Sequence, residues 1–157
     1  MFLIPDKIKL IFLFNQLNII GPVGTISICK YVFIKHNCIA ICTANSRFVL
    51  AKLSNSVKGV LNGHMRWLIL KGIGYKVINS SGNLVFKLGL SHNIVYRLPK
   101  EVNVLLYGNK LKLVSVYLNN VSLTARLIKN LKLPDIYQGK GILYREDKLI
   151  LKIGKRK

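Results

Sequence analysis

The chain has 157 residues, of which 25 are Lys or Arg and five are Asp or Glu, for a formal net charge of +20. That length holds one ordinary domain or two small ones with modest cores. So large a cationic excess repels itself in isolation, excludes internal ion pairing as its main neutralisation, and is expected where a polyanion, nucleic acid first, supplies the opposite charge.

Hydropathy pulls the other way, since 51% of residues are apolar and mean hydropathy is +0.35. The alternative this raises is a basic peripheral or integral membrane protein. Leu10 to Cys29 carries no charge and matches the roughly twenty residues that a bilayer span needs. Asn15, Gln16, Asn18, Gly21, Pro22 and Gly24 interrupt it, so the run reads as strands joined by a turn, and no membrane span is expected.

In chain order, Ile4 to Phe14 fits a strand and Asn15-Gln16 its turn. Leu17 to Ile20 and Thr25 to Ile28 flank Gly21-Pro22-Val23-Gly24, and Tyr31 to Lys35 and Cys38 to Cys42 flank His36-Asn37. These short β-branched runs between turn residues predict antiparallel pairing. From Ala44 the period changes to that of a helix, with Leu50, Leu53, Val57 and Val60 on one face and a stop near Gly59 or Gly63. Cys29, Cys38 and Cys42 are an odd set read as buried thiols, because no second cluster completes a zinc site with His36.

The second half repeats this order. Trp67 to Leu70, Tyr75 to Ile78, Leu84 to Leu90, Ile94 to Leu98, Val102 to Tyr107 and Leu111 to Val114 are strand candidates. A second helix follows, with Leu118, Val121, Ala125, Ile128 and Leu131 on or near one face and Ser115 as its cap. The fold class expected is α+β: two similar small two-layer domains, each an antiparallel-rich sheet with one helix packed on it. The boundaries are 1–62 for the first, shortened domain, 63–144 for the second, and 145–157 for a basic tail expected to begin as a short strand.

Chemistry is scarce. Asp6, Glu101, Asp135, Glu146 and Asp147 are too few and too scattered for an acid–base pair or a magnesium cluster. Gly72-Ile73-Gly74 lacks the third glycine of a dinucleotide loop, and Gly139-Lys140-Gly141 lacks the Ser or Thr of a phosphate loop. The chain is read as a non-enzyme without cofactor or metal. Pro134 to Tyr144 instead looks built for docking: Gly139 and Gly141 frame Lys140 without Cβ bulk, so the backbone approaches a polyanion while the lysine meets phosphate and Tyr137 and Tyr144 add flat faces. Gly72 and Gly74 are expected to shape a turn that leaves Tyr75 and Lys76 at a sheet edge.

Gly59-Val60, Gly63, Gly72-Ile73-Gly74-Tyr75-Lys76, Leu88-Gly89-Leu90-Ser91-His92, Leu98-Pro99 and Pro134-Asp135-Ile136-Tyr137-Gln138-Gly139-Lys140-Gly141-Ile142-Leu143-Tyr144 closely resemble the large-subunit ribosomal protein L-six family over residues 59 to 147. The first half agrees loosely, at Ile4-Pro5, around Gly21 to Gly24 and in the helix before Gly59. Departures are Asn93, where the family usually has proline, and Gln138, where it usually has lysine, which removes a charge beside Tyr137. The resemblance implies two domains of similar fold. It also implies binding of large-subunit ribosomal RNA, mainly through the second domain and tail, near the sarcin-ricin loop and the translation-factor region. Neighbouring large-subunit proteins are implied partners, and translation factors indirect ones. Residues expected at the RNA are Lys71, Gly72, Gly74, Tyr75, Lys76, Ser91, His92, Tyr137, Gly139, Lys140, Gly141, Tyr144, Arg145, Lys152, Lys155, Arg156 and Lys157. A start near the family's own beginning leaves no room for an import peptide, and the composition is rich in Ile, Leu, Asn and Lys. The expectation is an organelle-encoded copy in the mitochondrial matrix, with the plastid as the alternative.

Overall fold

The computed structural model of the chain describes residues 2, 3, 5, 7–13, 16–29, 32–35, 38–41 and 46–154. Internal packing divides the chain into two units, Met1–His64 with Ser115–Leu118, and Met65–Val114 with Asn119–Lys157. Each unit combines antiparallel strands with one helix, in agreement with the expected α+β class.

The first unit contains β1 (Phe2–Leu3), β2 (Lys9–Leu13), β3 (Gln16–Ile20), β4 (Thr25–Cys29), β5 (Val32–Lys35), β6 (Cys38–Ile41) and α1 (Ser46–Asn62). β2, β3 and β4 form an antiparallel meander, and β1, β6 and β5 a second sheet. Period-2 alternation in β3 buries Leu17 and Ile19, and antiparallel register sets them opposite Ile28 and Ile26 on the same face. Leu53, Val57 and Val60 of α1 close this core from above. The uncharged run that could have spanned a bilayer therefore falls in the three antiparallel strands β2, β3 and β4. No helix among the described residues is long and apolar enough to cross a membrane.

The helix stop falls at the second of the two glycines expected to end it. Gly63 takes the left-handed conformation (φ 72°) and donates its N–H to the Gly59 carbonyl at 3.0 Å, a common way to satisfy a last-turn carbonyl. Gly59 stays inside α1 for a packing reason, since a Cβ there would sit 2.2 Å from the Val116 carbonyl oxygen. His64 is structural as well, its Nε2 donating to the Asn55 carbonyl at 2.8 Å. Cys42, His36, Ile4, Asp6 and Phe14 lie outside the described residues.

The second unit contains β7 (His64–Lys71, joined to the first unit through His64), β8 (Lys76–Ser80), β9 (Asn83–Lys87), β10 (Ile94–Arg97), β11 (Asn103–Tyr107), β12 (Lys110–Ser115), α2 (Leu118–Leu131) and β13 (Gly141–Tyr144). β10, β9 and β8 form one antiparallel sheet, and β11, β12, β7 and β13 a four-stranded one in that order. Leu68, Leu70, Leu111, Leu113 and Ile142 from the larger sheet, Leu84 and Phe86 from the smaller, and Val121, Ala125 and Ile128 from α2 make one buried core. Ser115 does not cap α2 directly. Its hydroxyl accepts from the Tyr117 N–H at 3.2 Å, shaping the approach to a helix that starts one residue later.

One expectation about the C-terminal part is corrected. The expected strand in the tail is absent from 147–154; the strand lies earlier, at β13, which pairs with β7 through Gly141↔Lys71 and Leu143↔Ile69. The tail is instead pinned at separate points. The Arg145 N–H donates to the Trp67 carbonyl at 3.1 Å and the Lys152 N–H to the Ile136 carbonyl at 3.1 Å. Lys129 Nζ lies 2.6 Å from Asp147 Oδ2 and 4.5 Å from the Tyr144 ring centroid. The hydrogen bond from Lys129 holds the Asp147 carboxyl below its ordinary value, against a smaller opposing effect of burial.

Two predictions follow from these contacts. A Cβ on Gly141 would lie 2.5 Å from Pro134 Cα and 2.8 Å from the Leu133 carbonyl, and backbone cannot yield as a flexible side chain does. Gly141→Ala is expected to destabilise the protein by about 1–3 kcal/mol in chemical denaturation. The depressed Asp147 carboxyl contributes stability that is present above its ordinary value of 3.8 and is lost as pH falls through the lower folded value. Lys129→Gln should return that titration toward 3.8, read by carbon-detected NMR of the Asp147 side chain.

Candidate nucleic-acid interface

The four described acids, Glu101, Asp135, Glu146 and Asp147, are engaged within the fold. Glu146 pairs with Arg66 at 3.3 Å and Asp147 with Lys129 at 2.6 Å. Glu101 accepts from the Asn120 side-chain amide. Asp135 turns its carboxylate on its own loop, accepting the Tyr137 N–H at 3.3 Å and the Gln138 N–H at 3.1 Å. Among the described residues only Arg66 and Lys129 have acidic partners, so the other described cations face water or an external anion.

Several free cations collect where three loops of the second unit meet. The first runs from Lys71 at the end of β7 to Lys76 at the start of β8, both exposed. Gly72 lies against the Tyr75 ring, where a Cβ would come within 2.6 Å, and a Cβ on Gly89 would meet the opposite side of that ring at 3.4 Å. Tyr75 thereby draws the loop carrying Ser91 and His92 toward the Lys71–Lys76 loop. Both residues are exposed, with Ser91 Oγ 3.4 Å from His92 Nδ1.

The third loop is the Pro134 to Tyr144 corner. It is closed by Asp135 N–H donating to the Lys140 carbonyl at 3.0 Å, Gly139 N–H to the Asp135 carbonyl at 2.8 Å and Ile142 N–H to the Lys132 carbonyl at 2.9 Å. The Gly141↔Lys71 pairing sets it beside the first loop. Tyr137 projects with 59% of its surface exposed, and Lys140 is half-buried. Leu149 and Leu151 of the tail fold over Gly139. Together with Lys71, Gln138 and Lys148 they line an open cleft of about 370 Å³. Lys152 is exposed at its outer side, and Lys155, Arg156 and Lys157 lie outside the described residues.

Four sequence expectations change in this light. Tyr75 is a core residue, only 8% exposed, because its ring fills the space that Gly72 and Gly89 leave open, so it offers no face at the sheet edge. Gly139 and Gly141 are buried. Their missing Cβ atoms serve internal packing, against the tail leucines and against Leu133-Pro134. Gly72 likewise serves the Tyr75 ring. Tyr144 is half-buried on the core, with Lys129 over its ring. Gly74 is exposed and left-handed at φ 76°, with open space beside it.

The sequence reading overlooked the outer face of the four-stranded sheet, where Trp67 lies 5.7 Å from Tyr107, centroid to centroid. Lys112 Nζ and Arg145 Cζ stand 5.5 Å and 5.9 Å from the Trp67 centroid. The alternation of Trp67 and Ile69 with Leu68 and Leu70 was the signal available for it. A larger open cleft, about 930 Å³, is lined by Asn79, Arg97, Lys100 and Asn103 among others, none of them an expected contact. The arrangement holds cations, exposed backbone and flat rings, which suits contact with a polyanion.

No protein-family model matches the chain. It is 31% identical over 182 aligned positions, covering 98% of this chain and 94% of the relative, to large ribosomal subunit protein uL6m of Prototheca wickerhamii. It is 36% identical to large ribosomal subunit protein uL6m of Dictyostelium discoideum over 71% of this chain and 65% of the relative. It is 38% identical to large ribosomal subunit protein uL6 of Borrelia turicatae over 66% of this chain, and the match spans only 58% of that relative's length. With likeness extending over nearly the whole of the Prototheca protein, the chain belongs to the large ribosomal subunit protein uL6 family.

Proposed function

We propose that this protein is a structural, non-catalytic constituent of the large ribosomal subunit. It binds large-subunit ribosomal RNA through the loop cluster of its second unit and its tail. The observation that carries this reading is the electrostatic one: every described acid is engaged within the fold, while Lys71, Lys76, Lys148 and Lys152 stand exposed around adjoining loops. A chain of net charge +20 so arranged needs phosphates to complete its electrostatics. The relatives named as ribosomal proteins supply the particle in which those phosphates are found.

In this reading Lys71, Lys76, Lys140, Lys148 and Lys152 meet phosphates, Gly74 lets RNA backbone approach, and Ser91, His92, Tyr137 and Arg145 add hydrogen bonds and flat contacts. Lys155, Arg156 and Lys157 extend the charge. Such contacts read the shape of folded RNA more than its sequence. The location near the sarcin-ricin loop and the translation-factor region belongs to the same proposal, as do contacts with neighbouring ribosomal proteins. The two relatives named uL6m favour a mitochondrial ribosome, and an organelle-encoded origin is proposed with it.

The protein is expected to co-sediment with the large subunit after a high-salt wash that strips loosely held cations; recovery with lipid or as free protein would overturn the reading. Binding to large-subunit RNA should also depend steeply on salt. Lys76→Gln should lower the slope of log K against log salt by about one unit, whereas Lys129→Gln, whose charge Asp147 already neutralises, should leave the slope nearly unchanged.

A further inference from the structure

We propose that the outer face of the four-stranded sheet receives an unpaired RNA base, stacked on Tyr107 beside Trp67, with Lys112 and Arg145 taking the flanking phosphates. This rests on the ribosomal reading and deepens it by adding a base-stacking platform to a loop cluster that meets phosphate.

The geometry follows from strand alternation. Leu68, Leu70, Leu111 and Leu113 point into the core, so Trp67 and Lys112 stand on the opposite face, and the antiparallel register sets Lys112 across from Leu105 and Lys110 across from Tyr107. The indole is already engaged, half-buried, with Lys112 and Arg145 near its ring at 5.5 Å and 5.9 Å. These contacts hold the two charges close to the sheet and fix the ring against which Tyr107 leans at an interplanar angle of 37°. Tyr107 itself remains 54% exposed and Leu105 beside it 46%. An exposed phenol backed by a second aromatic and edged by cations matches what a nucleotide offers, a flat base attached to an anion.

The platform adjoins the loop cluster, because the Leu70 N–H donates to the Asn109 carbonyl at 2.9 Å and brings the turn after Tyr107 to the strand that ends in Lys71. An RNA strand leaving the lysines reaches the aromatic face without a gap in positive charge. Paired RNA keeps its bases stacked inside the helix and offers the ring only phosphate and sugar. An acidic protein segment would satisfy Lys112 and Arg145 but has no flat group for Tyr107.

Trp67 is the chain's one tryptophan, so its emission reports this face. The full chain is titrated with an unstructured RNA octamer, with a duplex of equal length and with an oligoglutamate peptide. The octamer is expected to quench Trp67 saturably and the duplex and peptide to leave it nearly unchanged. Tyr107→Val should weaken octamer binding roughly tenfold, while Tyr107→Phe, which keeps the π-face, should stay within about twofold. Thermal melting checks that each variant is folded. Equal octamer affinity of Tyr107→Val and parent would overturn the proposal, and equal quenching by oligoglutamate would assign the face to an acidic protein segment instead. Failure of the parent to enter the particle, with the octamer results intact, would count against the ribosomal reading alone.

Discussion

Scarcity of carboxylates is the constraint on which the rest depends. With five acids against 25 Lys and Arg, each carboxylate has a large effect on the local field, and Asp135, Glu146 and Asp147 are placed where they hold backbone or tail. Asp135 closes the 135–140 loop through two main-chain amides, and Asp147 fastens the start of the tail to α2 through Lys129. Paired and hydrogen-bonded in this way, they offset few of the cations. The fold thereby leaves its positive charge outward, at the expense of self-repulsion that an RNA surface would relieve.

The second unit shows how packing converts that surplus into a shaped surface. One Tyr75 ring, seated between Gly72 and Gly89, ties two loops together, and the β13–β7 pairing adds the third. The lysines are thus mounted on loops whose positions are set by buried contacts rather than by their own side chains. Rigid placement matters for a shape-reading contact, because each loosely held cation would lose side-chain entropy again on binding.

The glycine-rich corner shows the same economy. Gly139, left-handed at φ 67°, and Gly141, crowded by Pro134, allow a chain reversal tight enough for β13 to return along β7. The motif that resembles a binding signature is first a folding device. Its lysine, Lys140, is half-buried between two buried glycines.

Much was legible in the residues alone. The alternation of Leu17 and Ile19 and the three- and four-residue spacing of Val121, Ala125 and Ile128 are local consequences of strand and helix geometry, and they announced the α+β class and both core faces. Net charge needs no structure at all. What required the tertiary fold was every question of which side a ring or a glycine faces: Tyr75 turned inward, Gly141 met Pro134 across a chain reversal, and Trp67 found Tyr107 and Arg145 from distant parts of the chain. These depend on long-range pairing between segments up to some eighty residues apart, as Arg66 and Glu146 are. Local periodicity carries no information about such partners, so burial and neighbourhood were decided only when the sheets closed.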